Sequence, residues 1–346
     1  MPVDDAATTP SSPPRPTDDV GTFLDAVAPG STLGIGCLPQ RDAGAAARFS
    51  VDAFDVRTLP SLPRRSPAEA PIAQALVGAP GVTLGQYGTV AIDLDRLDPA
   101  ATMRTELWRD AFGGFRACLE VAGREGYVGP VKWQFVGPIS VGLSLRRAGA
   151  SSDVAFRTAV RLVRSHLSSL VGAIADQLPG SPQLVVLDEP FLDDLMTHDF
   201  PIAPDEAIDL LSSAMAAVET HATVGVHTCG DVDLATLIAS GPKVLSLPAR
   251  PKLVDYAGYV ERFLRDDGWI VWGAVPTEGP IGATATRTAA RLRSLWSELI
   301  ERGCDPVRLR QQSLISPQCG LGGHTTSVAE RVCSTATDVA RAMQAT

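Results

Sequence analysis

The sequence predicts a single α/β domain, a (β/α)8 (TIM) barrel, and three observations support this prediction. Short apolar runs rich in β-branched residues alternate along the chain with amphipathic segments of helical length. Eight such runs can be counted, each followed by a helical segment, as in a (β/α)8 barrel. The 346 residues are 45% hydrophobic, which suits two average domains or one large barrel, and no interior linker marks a domain boundary. We therefore expect one barrel over residues 19–346.

The elements follow in order along the chain. The predicted strands are 33–36, 56–59, 131–135, 183–187, 222–226, 243–247, 269–273 and 311–315. The predicted helices are 43–54, 67–77, 100–124, 153–178, 206–220, 231–240, 254–267, 283–302 and 326–343. The helix over 153–178 is the clearest, because its apolar residues recur every three or four positions and so form one face. Residues 79–99 do not fit a βα unit and are predicted to form an inserted hairpin or loop.

The amino-acid composition indicates the nature of the N-terminal residues, the cellular compartment and the classes of binding partner. Residues 1–18 are rich in Pro, Ser, Thr and Asp and lack the basic and apolar regions of a secretory signal, so we expect a disordered tail. A net charge of −9 argues against nucleic-acid and anionic-membrane partners, and no apolar run approaches the roughly 18 residues of a membrane span. Six widely spaced cysteines do not form a disulfide framework, which favours a reducing cytoplasm.

Unusual residues are concentrated where the predicted strands end. In a barrel, the carboxyl ends of the strands surround the active site. The segments that follow the eight strands are 37-CLPQRD-42, 60-PSLP-63, 136-VGP-138, 188-DEP-190, 227-HTCGD-231, 248-PAR-250, 274-AVPTE-278 and 316-SPQCG-320. We therefore expect these segments to converge on one mouth.

Two of these strand ends carry a candidate metal site. His227 and Cys229 follow the fifth predicted strand, and Cys319 follows the eighth. One imidazole and two thiolates form a good donor set for Zn²⁺, and three protein ligands leave one position open, as in catalytic sites. The alternative is a buried core histidine with inert thiols, but the placement at strand ends favours a metal.

Two consecutive carboxylates, Asp188 and Glu189, follow the strand 183–187. Consecutive strand residues point to opposite sides, so one of them is expected to face the mouth while the other pairs with a neighbouring loop. A carboxylate in the mouth suits a substrate ammonium group, and we predict substrate binding by both residues. The alternative is that the pair caps the loop ahead of Pro190.

Four further residues are candidates for substrate contact. Gly137 precedes a proline and is predicted to lie in a tight turn that lets a substrate approach the backbone. The turn at Gly36 and Cys37 can offer backbone N–H groups to a substrate carboxylate, with Cys37 lining the pocket or simply packed. His324 opens the last helix and is a candidate proton donor, with a role behind the site or at the surface as the alternative.

Taken together, these segments resemble the cobalamin-independent methionine synthase superfamily, which also includes uroporphyrinogen decarboxylase and the corrinoid-linked thiol methyltransferases. The resemblance is carried, in order, by 34-GIGCLPQRD-42, 131-VKWQFVGP-138, 184-LVVLDEP-190, 225-GVHTCGDVD-233 and 316-SPQCGLG-322. It implies a barrel like the C-terminal catalytic domain of these enzymes. It also implies a Zn²⁺ ion held by His227, Cys229 and Cys319, with the acceptor amino group on Asp188 and its carboxylate at the turn Gly36–Cys37.

The activity that the resemblance implies is zinc-dependent methyl transfer to the thiol of homocysteine or a similar acceptor, a step of methionine biosynthesis. The partners would be a small thiol and a methyl donor, either a folate or a methyl-corrinoid. Uroporphyrinogen decarboxylase fits less well, because it works without metal and uses an arginine-rich N-terminal segment that 41-RDAGAAARF-49 does not reproduce.

Three departures from the methionine synthases keep alternatives open. Pro248 stands where the family has a glutamate ligand, and Cys37 stands where it has a serine. Full-length enzymes also carry a further N-terminal barrel that this chain lacks. The alternatives are a zinc-thiolate alkyltransferase with another donor or thiol, and a zinc- or thiol-binding paralogue without catalysis.

Overall fold

The main structural unit is a sheet of seven parallel strands. The computed structural model describes residues 22–85, 88–101, 103, 105–279 and 282–345, so the predicted tail lies outside the described residues. The strands of the described residues are β1 (Arg57–Leu59), β2 (Val82–Leu84), β3 (Val90–Ile92), β4 (Val131–Val136), β5 (Gln183–Asp188), β6 (Thr223–His227), β7 (Val244–Pro248), β8 (Trp269–Val275) and β9 (Ser313–Pro317). All of them except β2 and β3 belong to the seven-stranded sheet. The sheet order is β1-β4-β5-β6-β7-β8-β9, with every pair parallel. The predicted α/β class is confirmed, and these seven strands coincide with seven of the eight predicted ones.

Residues 31–38 lie between the two edge strands of this sheet. The N–H of Leu33 donates to the carbonyl of Ile315 in β9, at 3.0 Å. On the other side, the N–H of Ser61, just beyond β1, donates to the carbonyl of Gly36, at 3.1 Å. The segment therefore connects the two edges of the curled sheet.

The predicted strand 33–36 is not a regular strand, although its neighbours Thr32 and Cys37 each form an isolated bridge. The N–H of Gly34 donates to the side-chain hydroxyl of Thr58, at 3.0 Å, instead of to a backbone carbonyl of β1. Gly36 has a φ of +147°, a conformation that favours glycine. The two glycines allow the chain to bend where a regular ladder would continue.

Helices surround the sheet in the described part of the chain. They are α1 (Phe23–Ala26), α2 (Ala43–Asp52), α3 (Pro71–Leu76), α4 (Gly113–Arg124), α5 (Pro138–Arg147), α6 (Ser152–Gln177), α7 (Pro204–Met215), α8 (Leu234–Ala239), α9 (Ala257–Arg265), α10 (Ala285–Glu301), α11 (Pro306–Gln311) and α12 (Thr326–Gln344). Short 3₁₀ turns occur at Pro67–Glu69, Asp110–Phe112, Leu192–Asp194 and Pro251–Tyr256. Side-chain oxygens of Asp42, Ser151, Asp233, Thr284, Asp305 and Thr325 cap helix N-termini, which fixes where six of these helices begin.

Several helix predictions are wrong at their boundaries, and two of them differ most from the structure. The helix expected over 100–124 begins as a 3₁₀ turn at Asp110 and becomes α-helical at Gly113. The helix expected over 67–77 is divided at Ala70, whose extended ψ of 139° separates a 3₁₀ turn from α3. In the second case Pro71 explains the break, because a proline disfavours the helical conformation in the residue before it.

Helix α5 was not predicted from the sequence. Gly137 and Pro138 read as a turn, but Gly137 is the N-cap of α5 and Pro138 is its first residue. Proline suits the first helical position, since it has no N–H that would need a partner there. β4 is therefore followed by two helices, α5 and α6, rather than by one.

The predicted insertion over 79–99 is confirmed as a hairpin. β2 and β3 pair antiparallel, with Val82 opposite Ile92 and Leu84 opposite Val90. This two-stranded sheet is separate from the main sheet.

The concave side of the main sheet is divided into an apolar and a polar layer. The apolar layer lies toward the amino ends of the strands and consists of Phe23, Val27, Leu33, Val56, Leu184, Val186, Val244, Val271 and Leu314. Side chains alternate along a strand, so the next inward positions on β5, β6 and β7 are Asp188, His227 and Ser246. The carboxyl ends therefore carry the polar groups. None of the helices in the described part is long and apolar enough to cross a membrane.

Candidate metal and substrate site

His227 is the inward-facing last residue of β6. Its Nδ1 lies 3.1 Å from the backbone carbonyl of Ser246 and 2.9 Å from the hydroxyl of the same residue, its register partner on β7. A carbonyl oxygen only accepts hydrogen bonds, so Nδ1 carries the ring hydrogen. The lone pair of Nε2 is then free to bind a ligand.

The ligand atoms of His227, Cys229 and Cys319 converge at the carboxyl ends of the strands. Nε2 of His227 lies 3.2 Å from Sγ of Cys229, and the three ligand atoms all lie within 4.8 Å of one another. Zinc bonds to nitrogen and sulfur of about 2.0–2.3 Å place tetrahedral ligands about 3.3–3.8 Å apart. The cluster could therefore bind a metal ion with small side-chain adjustments.

The two thiols of the cluster interact directly. A hydrogen bond from the Cys229 thiol lowers the pKa of Cys319, the N–H of Gly320 adds to this effect, and burial opposes it. Donation of that hydrogen bond, together with burial, raises the pKa of Cys229. Cys319 is therefore the sulfur of the pair that more readily becomes a thiolate, the form that binds metals. All six cysteines are free.

The loop that carries Cys229 is held from outside by two cations. Arg250 donates from Nη2 to the carbonyl of Cys229, at 3.1 Å, and forms an ion pair with Asp231, at 3.1 Å. Lys252 lies 3.6 Å from the same carboxylate. These contacts tie the end of β6 to the loop after β7 and so fix the backbone of the cysteine.

Asp188 faces the cluster from β5. It is the register partner of His227, and its Oδ1 is buried without a hydrogen-bond partner among the described residues. Burial raises the pKa of this carboxyl, and the nearby His227 and Lys132 oppose that rise. A buried acceptor without a partner is unfavourable, so this oxygen is available to a donor from a ligand.

Glu189 points away from the cluster. Its carboxylate accepts from the N–H of Ile139, at 2.9 Å, and from the N–H and hydroxyl of Ser140, at 2.8 and 2.6 Å. Burial raises the pKa of Glu189 to about 7, while these hydrogen bonds oppose the rise. The sequence predicted a substrate contact, but both oxygens cap the first turn of α5 instead.

Gly137 does not offer open space to a substrate. A Cβ at this position would lie 2.1 Å from Oε1 of Glu189. The sequence predicted that a substrate approaches the backbone at Gly137, but the group that does so in the structure is the carboxylate of Glu189.

The turn at Gly36 and Cys37 lies beside the cluster. A Cβ on Gly36 would lie 2.4 Å from Cδ of Gln134, so only glycine fits under this side chain. The Cys37 thiol lies 3.2 Å from the hydroxyl of Ser61 and is half-buried. Burial raises the pKa of Cys37 to about 11, so it remains a neutral thiol.

His324 is separate from the converging ligand atoms. It is half-buried in the turn before α12, where its N–H donates to the carbonyl of Leu321, at 3.0 Å. The group of possible metal ligands among the described residues does not include it.

Sequence reasoning missed Lys132 and Ser246. Lys132 is buried on β4 and donates from Nζ to the carbonyl of Ile35 and, at 3.3 Å, to Oε1 of Gln134. Both missed residues are polar and stand at alternate positions inside apolar strands, in VKWQF and VLSLP. That alternation indicates that both side chains face the concave side of the sheet, but it does not show which groups they contact.

Comparison with known proteins bears on the fold. No model of a known protein family matches the chain, and no curated protein sequence matches it. Among solved structures, the chain is similar to a B12-independent methionine synthase from Shewanella sp. W3-18-1 in complex with selenomethionine. The TM-score is 0.64 and the identity 14%, over 92% of this chain and 98% of that one. A putative vitamin-B12-independent methionine synthase from Listeria monocytogenes gives a TM-score of 0.51 and 16% identity, over 90% and 98% of the two chains.

Both neighbouring chains are spanned almost completely, so they are similar in length to this one. The structural neighbours of this chain are cobalamin-independent methionine synthases, and the resemblance in the sequence is confirmed at the level of the fold.

Proposed function

We propose that this protein is a methyltransferase that moves a methyl group to the thiol of a homocysteine-like acceptor. The observation that carries the proposal is the convergence of His227, Cys229 and Cys319 within 4.8 Å at the carboxyl ends of the strands. The donor would be a methylfolate or a methyl-corrinoid. The fold shared with two methionine synthase structures supports the same reaction class.

We propose Zn²⁺ as the metal that this cluster holds. The donor set fits, since one neutral imidazole nitrogen and two sulfurs are typical zinc ligands and three protein ligands leave one position open. Pro248, at the inward end of β7, has no donor atom in its side chain and so leaves that position free. Bound zinc supplies one chemical effect here, which is to keep an acceptor thiol deprotonated at neutral pH.

The other residues of the site orient the acceptor. The unpartnered Oδ1 of Asp188 would accept a hydrogen bond from the acceptor ammonium group, which satisfies a buried oxygen at the same time. The backbone at Gly36 and Cys37 would bind the acceptor carboxylate. With both ends fixed, the acceptor sulfur points at the cluster, and its thiolate is the nucleophile that attacks the methyl group. The new S–C bond would form as the bond between the methyl group and its donor breaks, and the demethylated donor would leave with the bonding electrons.

We further propose that β1, β4–β9 and residues 31–38 together form a closed eight-stranded barrel. Support comes from the position of Cys319, which follows β9, three strands away from β6 in the sheet order. The Cys319 sulfur nevertheless lies within 4.8 Å of the ligand atoms that β6 positions. Only a strongly curled sheet brings these two ends together.

A second candidate function keeps the zinc-bound thiolate but changes the thiol or the alkyl donor. Cys37, in place of the serine expected from the resemblance, favours this candidate because it alters the lining of the proposed carboxylate site. Thiol consumption measured against a panel of electrophiles separates the two functions.

The direct experiment is an assay of methyl transfer from deuterated methyltetrahydrofolate or methylcobalamin to homocysteine, with methionine measured by mass spectrometry. The zinc-loaded protein should form labelled methionine with one of the donors. Asp188→Asn should raise the KM for homocysteine and leave the KM for the donor unchanged, because it removes the charge that binds the ammonium group. No product with either donor would contradict the methionine synthase form of the proposal.

A further inference from the structure

Lys132 is a buried cation that the proposed reaction does not use. It stands on β4 opposite Thr58 of β1 and Leu184 of β5, and only 1% of its surface is exposed. Leu184 belongs to the apolar layer of the concave side. The alkyl chain of Lys132 therefore starts at the level of the apolar layer, while its ammonium group reaches the polar groups above it.

The ammonium group supports the turn at residues 35–37 from below. Nζ donates to the carbonyl of Ile35 and to Oε1 of Gln134. Gln134 in turn packs against Gly36, and its Nε2 lies 3.9 Å from the Cys37 sulfur. Lys132 and Gln134 thus contact all three residues of the turn.

The charge of Lys132 has no close counter-ion. Both hydrogen-bond acceptors are neutral, and no carboxylate lies within 4.0 Å of Nζ in the described part of the chain. The ionisable groups that act on it are Asp188 and Cys37, and burial lowers the pKa of Lys132 to about 7 despite them. A buried ammonium without a counter-ion is unfavourable, so an anion bound at this turn would be attracted to it.

We propose that Lys132 positions the carboxylate end of the acceptor, by holding the turn 35–37 and by placing a positive charge beneath it. This inference rests on the proposed function, in which the same turn binds an acceptor carboxylate. According to this proposal, the side chain of Lys132 is the reason that the protein prefers thiols that carry a carboxylate. A thiol that lacks the carboxylate gains nothing from this charge.

The test is direct binding, measured by calorimetry on the zinc-loaded full-length protein with three thiols. Homocysteine carries both charged groups, 4-mercaptobutanoate carries only the carboxylate, and 3-mercaptopropylamine carries only the ammonium. Lys132→Met keeps the length of the side chain and removes the charge. The variant should bind homocysteine and 4-mercaptobutanoate about tenfold to a hundredfold more weakly and should bind 3-mercaptopropylamine within about twofold of wild type.

A matched control changes the net charge equally at another lysine. Lys243→Met removes an exposed lysine that directly precedes β7, at the amino ends of the strands and so away from the cluster, and should leave all three affinities unchanged. Zinc content and the melting temperature, measured on each variant, separate a local effect from a loss of the fold.

Two outcomes would overturn the inference. If Lys132→Met binds homocysteine as wild type does, or loses affinity equally for the thiol without a carboxylate, Lys132 does not act through the carboxylate while the proposed function stands. If the wild-type protein binds none of the three thiols, both proposals are overturned.

Discussion

Ser246 determines which nitrogen of His227 is available as a ligand. Its carbonyl and hydroxyl both lie near Nδ1, at 3.1 and 2.9 Å, so the ring is oriented by two groups on the neighbouring strand. Residues that fix a ligand histidine typically change metal affinity by about 10–100-fold when they are replaced. Ser246 is therefore part of the proposed site, although it is not one of the three proposed ligands.

Ser246→Ala should weaken zinc binding by about tenfold, at the low end of that range, because the backbone carbonyl still accepts from Nδ1. His227→Ala, which removes a ligand, should weaken it far more. Competition with a chromophoric chelator measures both affinities. A loss in Ser246→Ala as large as that in His227→Ala would show that the carbonyl does not hold the ring.

At the scale of single residues, the sequence identified the site residues whose types and spacing are uncommon. Histidine and cysteine two positions apart at a strand end are unusual, so His227, Cys229 and Cys319 could be selected without coordinates. Ser246 is a common residue in an apolar strand, and its role depends on register with β6, which only the structure provides. Glu189 looked like a site residue because its contacts to α5 depend on a helix that was not predicted.

At the scale of elements, the junction of β4, α5 and β5 supports the site from behind. Glu189 directly follows Asp188, and its carboxylate binds the N–H groups of Ile139 and Ser140. Gly137 gives that carboxylate its space. Because side chains alternate along a strand, Asp188 then faces the concave side. The position of Glu189 as the cap of α5 therefore also fixes the direction of Asp188, the proposed substrate contact.

Gly137→Ala should lower the free energy of unfolding by about 1–3 kcal/mol, because its Cβ would overlap Oε1 of Glu189 in a buried site. Urea denaturation measures the change. Gly172→Ala, at a glycine where an added Cβ meets no atom within 4 Å, is the matched control and should be neutral or stabilising. Equal stability of Gly137→Ala and wild type would contradict the packing described for Glu189.

Two of the regions that sequence analysis predicted wrongly, α5 and the segment 33–36, share a physical cause. α5 starts with a Gly-Pro pair, which fits a turn and a helix start equally well until its contact with Glu189 is known. The segment 33–36 has the apolar pattern of a strand, but Gly34 bonds to a side chain and Gly36 adopts a positive φ. In both regions, contacts with distant parts of the chain determine the local structure, and the local sequence alone does not.

At the scale of the whole molecule, buried histidine makes stability depend on pH. His166 of α6 has its Nε2 3.1 Å from the carbonyl of Ala75, in α3, and its Nδ1 2.8 Å from the hydroxyl of Thr105. Burial lowers its pKa to about 4. The folded protein therefore resists protonation of this ring, whereas the unfolded chain accepts a proton near pH 6.5.

The sign of the effect follows from that difference. Because the folded pKa is depressed, the contribution of His166 is complete above about pH 6.5 and is lost as the pH falls toward 4. Between pH 7 and 4.5 the wild type should lose about 2–3 kcal/mol that His166→Gln does not lose. Urea denaturation at the two pH values gives the comparison, with His221→Gln, at an exposed histidine, as the control. Identical pH dependence in His166→Gln and wild type would exclude this role.

The layered interior connects the fold to the proposed chemistry. An apolar layer fills the amino end of the concave side, and the polar residues stand one layer above it. The alternation of strand and helix segments predicted that the rare groups at the strand ends would meet, and the three proposed ligands do meet there. The layer in which the Lys132 ammonium group lies depends on the length of the side chain and on the turn that it contacts. The sequence pattern therefore could not predict the position of this group.

The zinc content of the protein tests the central claim most directly. Elemental analysis of protein purified without added metal should give about one zinc per chain in the wild type. Cys229→Ala and Cys319→Ala should each lose the metal while they keep the fold, and Cys333→Ala, in α12, should retain it. A wild-type protein without zinc after reconstitution, or ligand variants that retain it, would contradict the proposed site and the methyltransferase that depends on it.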